Sequence, residues 1–333
     1  MYFFKRKKYP LGVIAPDYKD VRDYQLAEIQ PEAVELPEEF CLIDKMTSVQ
    51  RQNYGTCTSH MADGIAEFWN SKEYHKEIKL SQKFIYHNTK KISQLWDIEG
   101  DFVRNAMKSV CDYGAPLEAT FPDIKGTSWE KYAREEPSAK IYEEAEKYKG
   151  KTYWRVGRML EDFRQAVYQN KCPVGFGMMW HKGYNRPAED GRLPLPGEEA
   201  GGHAMDYVGW TKGKDWFRNS WGKEWGLNGY FYIPSDEFNR HTIWDCWVQL
   251  DRTEPPAQKF EGYCAIKYLR NSEGYKKGMK VKTIYRLKLR SKPSIKSTQL
   301  VVMDRNQEGE IMSDEVINAD GYKWQKIGIE IDK

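Results

Sequence analysis

Two short segments, Gly201-Gly202-His203-Ala204 and Asn219-Ser220-Trp221-Gly222, constrain this chain more than any other feature. Each ends or begins a stretch of aromatic and β-branched residues bounded by glycine, the pattern of short strands. A histidine that works as a base needs a partner that fixes its tautomer and ring orientation. An asparagine amide does this without adding charge, and an indole beside it can lie over the bond and keep water out. The fold must therefore bring His203 and Asn219 together from strands, and a nucleophile must come from elsewhere.

Cys57 is the candidate nucleophile. The segment Val49-Gln50-Arg51-Gln52-Asn53-Tyr54-Gly55-Thr56-Cys57 carries a glutamine shortly before the cysteine, with glycine between them. For acyl transfer, the Gln52 amide and the Cys57 backbone N–H can hold the developing oxyanion. Apolar residues at 61, 62, 65, 66, 68 and 69 predict a buried helix starting at Cys57. A helix N-terminus favours a thiolate, and a nearby imidazolium favours it further. His60 lies three residues on, but the Cys57 side chain must face a cleft, so His60 reads as a packing or surface residue.

With these residues in place, the chain resembles the papain family of cysteine peptidases. The motifs are His203-Ala204, Asn219-Ser220-Trp221-Gly222, Trp225-Gly226 and Gly229-Tyr230 in the second half. In the first half they are Gln52, Cys57, Leu80-Ser81-Gln82, Tyr113-Gly114, Phe121-Pro122 and Pro173-Val174. The resemblance spans roughly residues 37 to 250. It implies Cys57 as nucleophile, His203 as general base and acid, Asn219 as orienting residue, Gln52 as oxyanion donor and Trp221 as shield of the His203–Asn219 bond. It also implies that Gly100 hydrogen-bonds substrate backbone and that Ala204 and Met205 line an apolar specificity pocket. The chain departs from the family pattern at Tyr54 and Thr58, where a cysteine and an aromatic are usual. Gln52 is also one residue closer to the nucleophile than usual, so either the oxyanion loop is shorter or Gln50 takes part.

Net charge is only +3, from 52 basic and 49 acidic residues, which gives no bulk electrostatic argument for nucleic acid. No apolar run reaches membrane-span length. The start, Met1-Tyr2-Phe3-Phe4 followed by Lys5-Arg6-Lys7-Lys8, does not read as a signal peptide. Cytoplasmic residence follows as an expectation, or a virion if a bacterial virus encodes the chain. The six cysteines form no Cys-x-x-Cys pair and none sits with histidines at metal spacing, so five read as structural thiols and one as reactive. No metal and no cofactor is expected.

The expected organisation is an N-terminal arm (1–45), a papain-like domain (46–253), a proline-containing linker (254–261) and a small all-β unit (262–333). The arm is too short for the long helical inhibitory propeptide of many family members, so the enzyme is made active or something else restrains it. Residues 124–152 are highly charged and predict an exposed helix, with a gating lid as the alternative; 156–171 predict an amphipathic helix. Strands are expected at 173–179, 203–210, 216–219 and 229–233, and the loop 183–202 reads as a wall of the cleft. The fold class is α+β, a papain-like helical lobe plus a strand-rich lobe, followed by a small barrel.

In the last unit, Leu287-Lys288-Leu289-Arg290-Ser291-Lys292-Pro293-Ser294 and Gly321-Tyr322-Lys323-Trp324 resemble a bacterial Src-homology-3-like domain. Strands are expected at 279–285, 287–289, 299–303, 309–312 and 324–329. Eleven Lys or Arg against one acid between Lys267 and Lys296 leave two readings: a solvated sheet face, or a surface for a protein or an anionic wall polymer. The reading for the whole chain is a thiol endopeptidase acting on proteins or peptides. Two rivals stand beside it: a Cys/His cell-wall hydrolase, and a catalytically inactive protein that keeps the fold.

Overall fold

The structure, a computed structural model, describes residues 9–20, 22–30, 32–123, 126–250, 258–270, 275–285, 287–303, 305 and 307–331. It divides into two compact units, one of residues 1–18 and 24–253, the other of residues 19–23 and 254–333.

In the larger unit, α1 (Leu26–Ile29) and β1 (Phe40–Cys41) precede α2 (Cys57–Tyr74), α3 (Gln82–Ser93) and α4 (Val103–Tyr113). Helix α2 is buried at 13 of its 18 positions, so it forms the centre of its lobe rather than a surface helix. It ends where His75 turns left-handed, with φ 51°. Helix α3 starts at Ser81, whose hydroxyl accepts the Phe84 N–H at 3.1 Å.

The expected single helix over 124–152 is not found. In its place stand α5 (Trp129–Arg134), α6 (Ala139–Ala145) and then a strand, β2 (Thr152–Val156). Pro137 disfavours helical geometry at Glu136 and divides the segment. Tyr132, Ala133 and Ala145 are buried, so the charged composition conceals an inner face.

Helix α7 (Leu160–Asn170) leads into β3 (Val174–His181), β4 (Glu199–Thr211), β5 (Lys214–Arg218), β6 (Tyr230–Pro234) and β7 (Ile243–Leu250). The sheet runs β2-β7-β3-β4-β5-β6, with β1 added to β4. Its pairs are antiparallel, with Gly177 opposite Ala204 and Asp206 opposite Arg218. The pleat sends successive side chains to opposite faces. Ala204 joins a core with Cys57, Met61 and Trp247. Met205 and Tyr207 join the other core, with Phe163, Phe176, Phe217 and Trp180. The larger aliphatic and phenylalanine side chains among these contribute about 1.5–3 kcal/mol each on burial.

The smaller unit is a second seven-stranded antiparallel sheet of β8 (Gln258–Ala265), β9 (Leu269–Arg270), β10 (Lys280–Thr283), β11 (Leu287–Arg290), β12 (Gln299–Met303), β13 (Glu308–Ala319) and β14 (Tyr322–Ile331). Residues 258–261, expected in the linker, are strand: β8 pairs with β14 from Gln258 opposite Ile331 to Ala265 opposite Trp324. Residues 254–257 of the linker lie outside the described residues. Lys280 and Lys282 point outward around buried Val281, and across the sheet they meet Glu310 at 3.1 Å and Glu308 at 2.7 Å. Part of the basic stretch therefore faces the acid-rich half of its own unit.

Candidate active site

Cys57 is the first residue of α2, with Thr56 as its cap. The N–H groups of Cys57 itself, Thr58, Ala204 and Gly12 favour a thiolate there, yet burial outweighs them and pushes the thiol up to about 12. The residue has no exposed surface. On β4, His203 is equally buried, and burial moves its imidazole down to about 4. Its Nε2 lies 2.8 Å from the Asn219 side-chain oxygen. With Nε2–H donating to Asn219, Nδ1 is the unprotonated nitrogen, and Nδ1 is a buried atom with no hydrogen-bond partner. The Trp221 ring stacks on the imidazole at 4.7 Å and 24°, and Trp180 meets it edge-on at 4.9 Å. These indoles enclose the His203–Asn219 bond.

The segment before the nucleophile is held by backbone and by a buried polar cluster. The Gln52 N–H donates to Ser220 O at 2.8 Å and the Gly222 N–H to Gln50 O at 3.0 Å. The Ser220 hydroxyl donates to the Gln52 side-chain oxygen, which turns the amide nitrogen toward the cleft. Gln50 is committed elsewhere: its amide donates to Asp63 at 3.2 Å and Glu67 at 2.9 Å. Lys79 pairs with Glu67 at 2.9 Å, and Arg218 with Asp206 at 3.3 Å. Burial raises the Asp206 carboxyl to about 7 although Arg218 opposes it. A side chain at Gly64 would lie 2.3 Å from the Arg218 guanidinium, so glycine there admits the pair against α2. His60 is buried, with Nδ1 2.9 Å from Thr56 O one turn back.

The cleft is occupied by the chain's own residues 9–14. Pro10 O accepts from the Gln52 amide at 3.0 Å and from the Trp221 indole at 3.3 Å. The Tyr9 ring lies 4.9 Å from Trp221. Gly12 and Val13 both donate to Gly202 O, at 3.2 and 3.1 Å. On the other side, the Asp101 N–H donates to Gly12 O at 2.8 Å and the Ile14 N–H to Asp101 O at 3.3 Å. Val13 is buried in the core that holds Cys57 and Ala204. Its side chain sits near Val103, Trp244 and the bare Cα of Gly177. The fit leaves no room: a Cβ on Gly12 would meet Gly55 O at 2.0 Å.

Attack needs a carbonyl carbon on the sulfur and its oxygen on the Gln52 amide. The carbonyl at the Gln52 amide is that of Pro10, and the Gly12 N–H is turned to Gly202 O.

Two expected substrate-binding residues need correction. Gly100 turns its backbone inward, with its N–H on the Tyr86 hydroxyl at 3.0 Å and its carbonyl on Lys90. The groups that face the arm belong to Asp101. A Cβ on Gly100, which has φ +105°, would come 2.5 Å from Gly12 O, so the glycine permits close approach rather than donating. Met205 lies on the opposite face of β4 from Ala204 and fills the other core. Sequence reasoning missed Ser220, Asp101 and the arm. Ser220 was within reach, since it adjoins Asn219.

Residues 31–248 match the model of the papain family of cysteine proteases, and the chain belongs to that family. It is a papain-like cysteine peptidase. Over 277 residues it is 25% identical to an uncharacterised peptidase C1-like protein of Acanthamoeba polyphaga mimivirus, covering 75% of this chain and 86% of that one. Xylellain, a cysteine protease from Xylella fastidiosa, superposes with a TM-score of 0.63 at 26% identity, covering 75% of this chain and 99% of that one. Digestive procathepsin L 3 of Tenebrio molitor shares the fold, with a TM-score of 0.51 at 16% identity over 65% and 71% of the two chains. Among the described residues, no helix is long and apolar enough to cross a membrane.

Proposed function

We propose that the chain is an endopeptidase in which Cys57, His203 and Asn219 carry the chemistry and Gln52 holds the oxyanion. One observation carries this reading. The His203–Asn219 bond of 2.8 Å, with Trp221 stacked on the imidazole, leaves a bare, buried Nδ1, and the next residue, Ala204, packs in the core that holds Cys57 at the α2 N-terminus. His203 takes the thiol proton and the thiolate attacks the scissile carbonyl. The Gln52 amide and the Cys57 N–H receive the oxyanion. Imidazolium then returns the proton to the leaving amine, and water hydrolyses the thioester.

Residues 9–14 restrain the site in two ways. They fill the cleft, and they exclude the water that a thiolate–imidazolium pair requires, which leaves a neutral thiol beside a neutral imidazole. The substrate is a protein or peptide. The pocket that takes Val13 favours an apolar, β-branched residue. The C-terminal unit, strand-rich throughout, reads as a small SH3-like module for a protein or a wall polymer, testable by co-sedimentation with purified wall. A cytoplasmic or virion setting goes with this reading, and cell fractionation tests it.

The test of the site is labelling with an epoxysuccinyl thiol-protease inhibitor, read by intact mass and peptide mapping. One adduct on Cys57 is expected, absent in Cys57→Ala. Peptide hydrolysis should fall at least about 10⁴-fold in Cys57→Ala and His203→Ala. Labelling elsewhere, or unchanged hydrolysis in either variant, rejects the reading.

A further inference from the structure

The helical-lobe wall of the cleft is built differently from the strand wall. Between α3 and Asp101 the chain has only turns, and residues 94–101 contain no cysteine to cross-link them. Yet Asp101 holds its N–H and carbonyl on the arm as a strand would. What organises this loop is Lys90, near the end of α3. Its side chain is fully buried. Its ammonium donates to Leu95 O at 3.1 Å, to Ile98 O at 2.6 Å and to Gly100 O. An ammonium has three N–H donors, and three loop carbonyls take them.

The fourth neighbour is the Asp101 carboxylate at 3.4 Å, itself fully buried. That carboxylate also accepts from the Ser93 hydroxyl at 2.6 Å, the Asn105 amide at 2.9 Å and the Phe102 N–H at 2.8 Å. Tyr86 and Trp129 present ring faces to the ammonium at 5.3 and 5.8 Å. The Tyr86 hydroxyl, which accepts the Trp129 indole N–H at 3.0 Å, fixes the Gly100 N–H at the same distance. Lys90 thus gathers carbonyls as a bound cation would, and every group it gathers lies behind the edge on which a peptide docks. Burying an unpaired charge is costly, so Asp101 and Lys90 depend on each other.

We propose that Lys90 is a positioning residue for substrate. Its ammonium fixes the Gly100–Asp101 edge so that the Asp101 N–H and carbonyl meet the backbone of a bound peptide. This rests on the Cys57 site reading. Arm and substrate share the Asp101 groups, so loosening the wall weakens both. That predicts a split between two readouts: KM for peptide rises, while alkylation of Cys57 by iodoacetamide, which needs the arm displaced but no wall, becomes faster.

The experiment uses the full chain, comparing wild type, Lys90→Met and the double variant Lys90→Met/Asp101→Asn. The double variant removes both charges, so it leaves no unpaired buried carboxylate if the single variant fails to fold. With the arm displaced by a further Gly12→Ala, so that it no longer competes, KM for a short apolar peptide amide should rise about tenfold in either variant with kcat within about threefold, since preorganisation is lost and the chemistry is not. Iodoacetamide should react with Cys57 faster. Hydrogen exchange should increase in residues 94–101, with α2 and the sheet unchanged. An unchanged KM, a fall confined to kcat, or exchange spread over α2 and the sheet overturns the assignment. A wild-type Cys57 that never alkylates, even with the fold intact, would instead sink the site reading. Hydrogen exchange then decides the wall alone, and an undisturbed loop refutes it.

Discussion

The two walls that grip residues 12–14 both do so through backbone groups and are themselves held by unlike means. On the strand side, Gly202 sits in β4, a strand bonded on both flanks within the seven-stranded sheet, and its carbonyl takes two N–H groups from the arm. On the helical side, Asp101 belongs to no ladder, and a buried lysine with three carbonyls does the work of a neighbouring strand. The lesson is that an extended peptide needs only an edge of fixed geometry. A sheet supplies that edge through a ladder of strand pairs, whereas here one buried cation and the few polar groups around it supply it.

The sharpest way to break this comparison is Gly202→Ala. A Cβ there would meet Val13 O at 2.4 Å, where any bound peptide backbone would also pass. Peptide hydrolysis should fall about 10²-fold from misplacement of the substrate, while iodoacetamide reaches Cys57 faster. Retained hydrolysis would mean that substrate does not use the strand wall.

Next in size is Gly12→Ala. Its Cβ would strike Gly55 O, a clash of the arm alone, so both alkylation and hydrolysis should rise about tenfold, the effect of relieving 1–3 kcal/mol of overpacking by opening. Unchanged rates would show that the arm does not limit access.

The smallest effect concerns the arm's far anchor. Asp17 accepts from the Arg104 N–H and the Trp247 indole, and its N–H donates to Asp245 at 2.6 Å. Burial, reinforced by the Asp245 charge, raises its carboxyl from 3.8 to about 7. The folded state then holds the proton longer than a detached arm does. The Asp17 contribution to docking is fully present below about pH 4, weakens as pH climbs toward 7 and is lost above, while His203, lowered by burial to about 4, acts in the opposite direction. Hydrogen exchange at residues 12–14, corrected for intrinsic rate, should show the protection of the wild type relative to Asp17→Asn declining over that window. A wild-type profile that parallels Asp17→Asn would remove Asp17 as the anchor.

Much of the peptidase fold was legible in the sequence because its signals are local. His203 lies on β4 and Asn219 directly after the end of the neighbouring β5, so glycine-bounded aromatic stretches disclosed both at once. Period-two alternation should have separated Ala204 from Met205, and reading adjacent residues as one pocket wall overlooked it. Pro137 marked a break inside a segment read as a single helix. Strands β2, β7 and β8 went unseen because their pairing partners lie far off in sequence. The arm and Lys90 were illegible for a deeper reason. Pro10 meets Gln52 across 42 residues with no repeating pattern, and a lysine on a helix looks solvated until the loop that buries it is known.

As long as the arm stays joined to the site it covers, each opening is followed by reclosure. The arm then acts as an intramolecular competitor, with an effective concentration on the order of millimolar. Sparse free peptides lose that contest, and segments delivered at high local density win it. The enzyme is thereby tuned to how crowded its targets are, before any preference for their sequence comes into play.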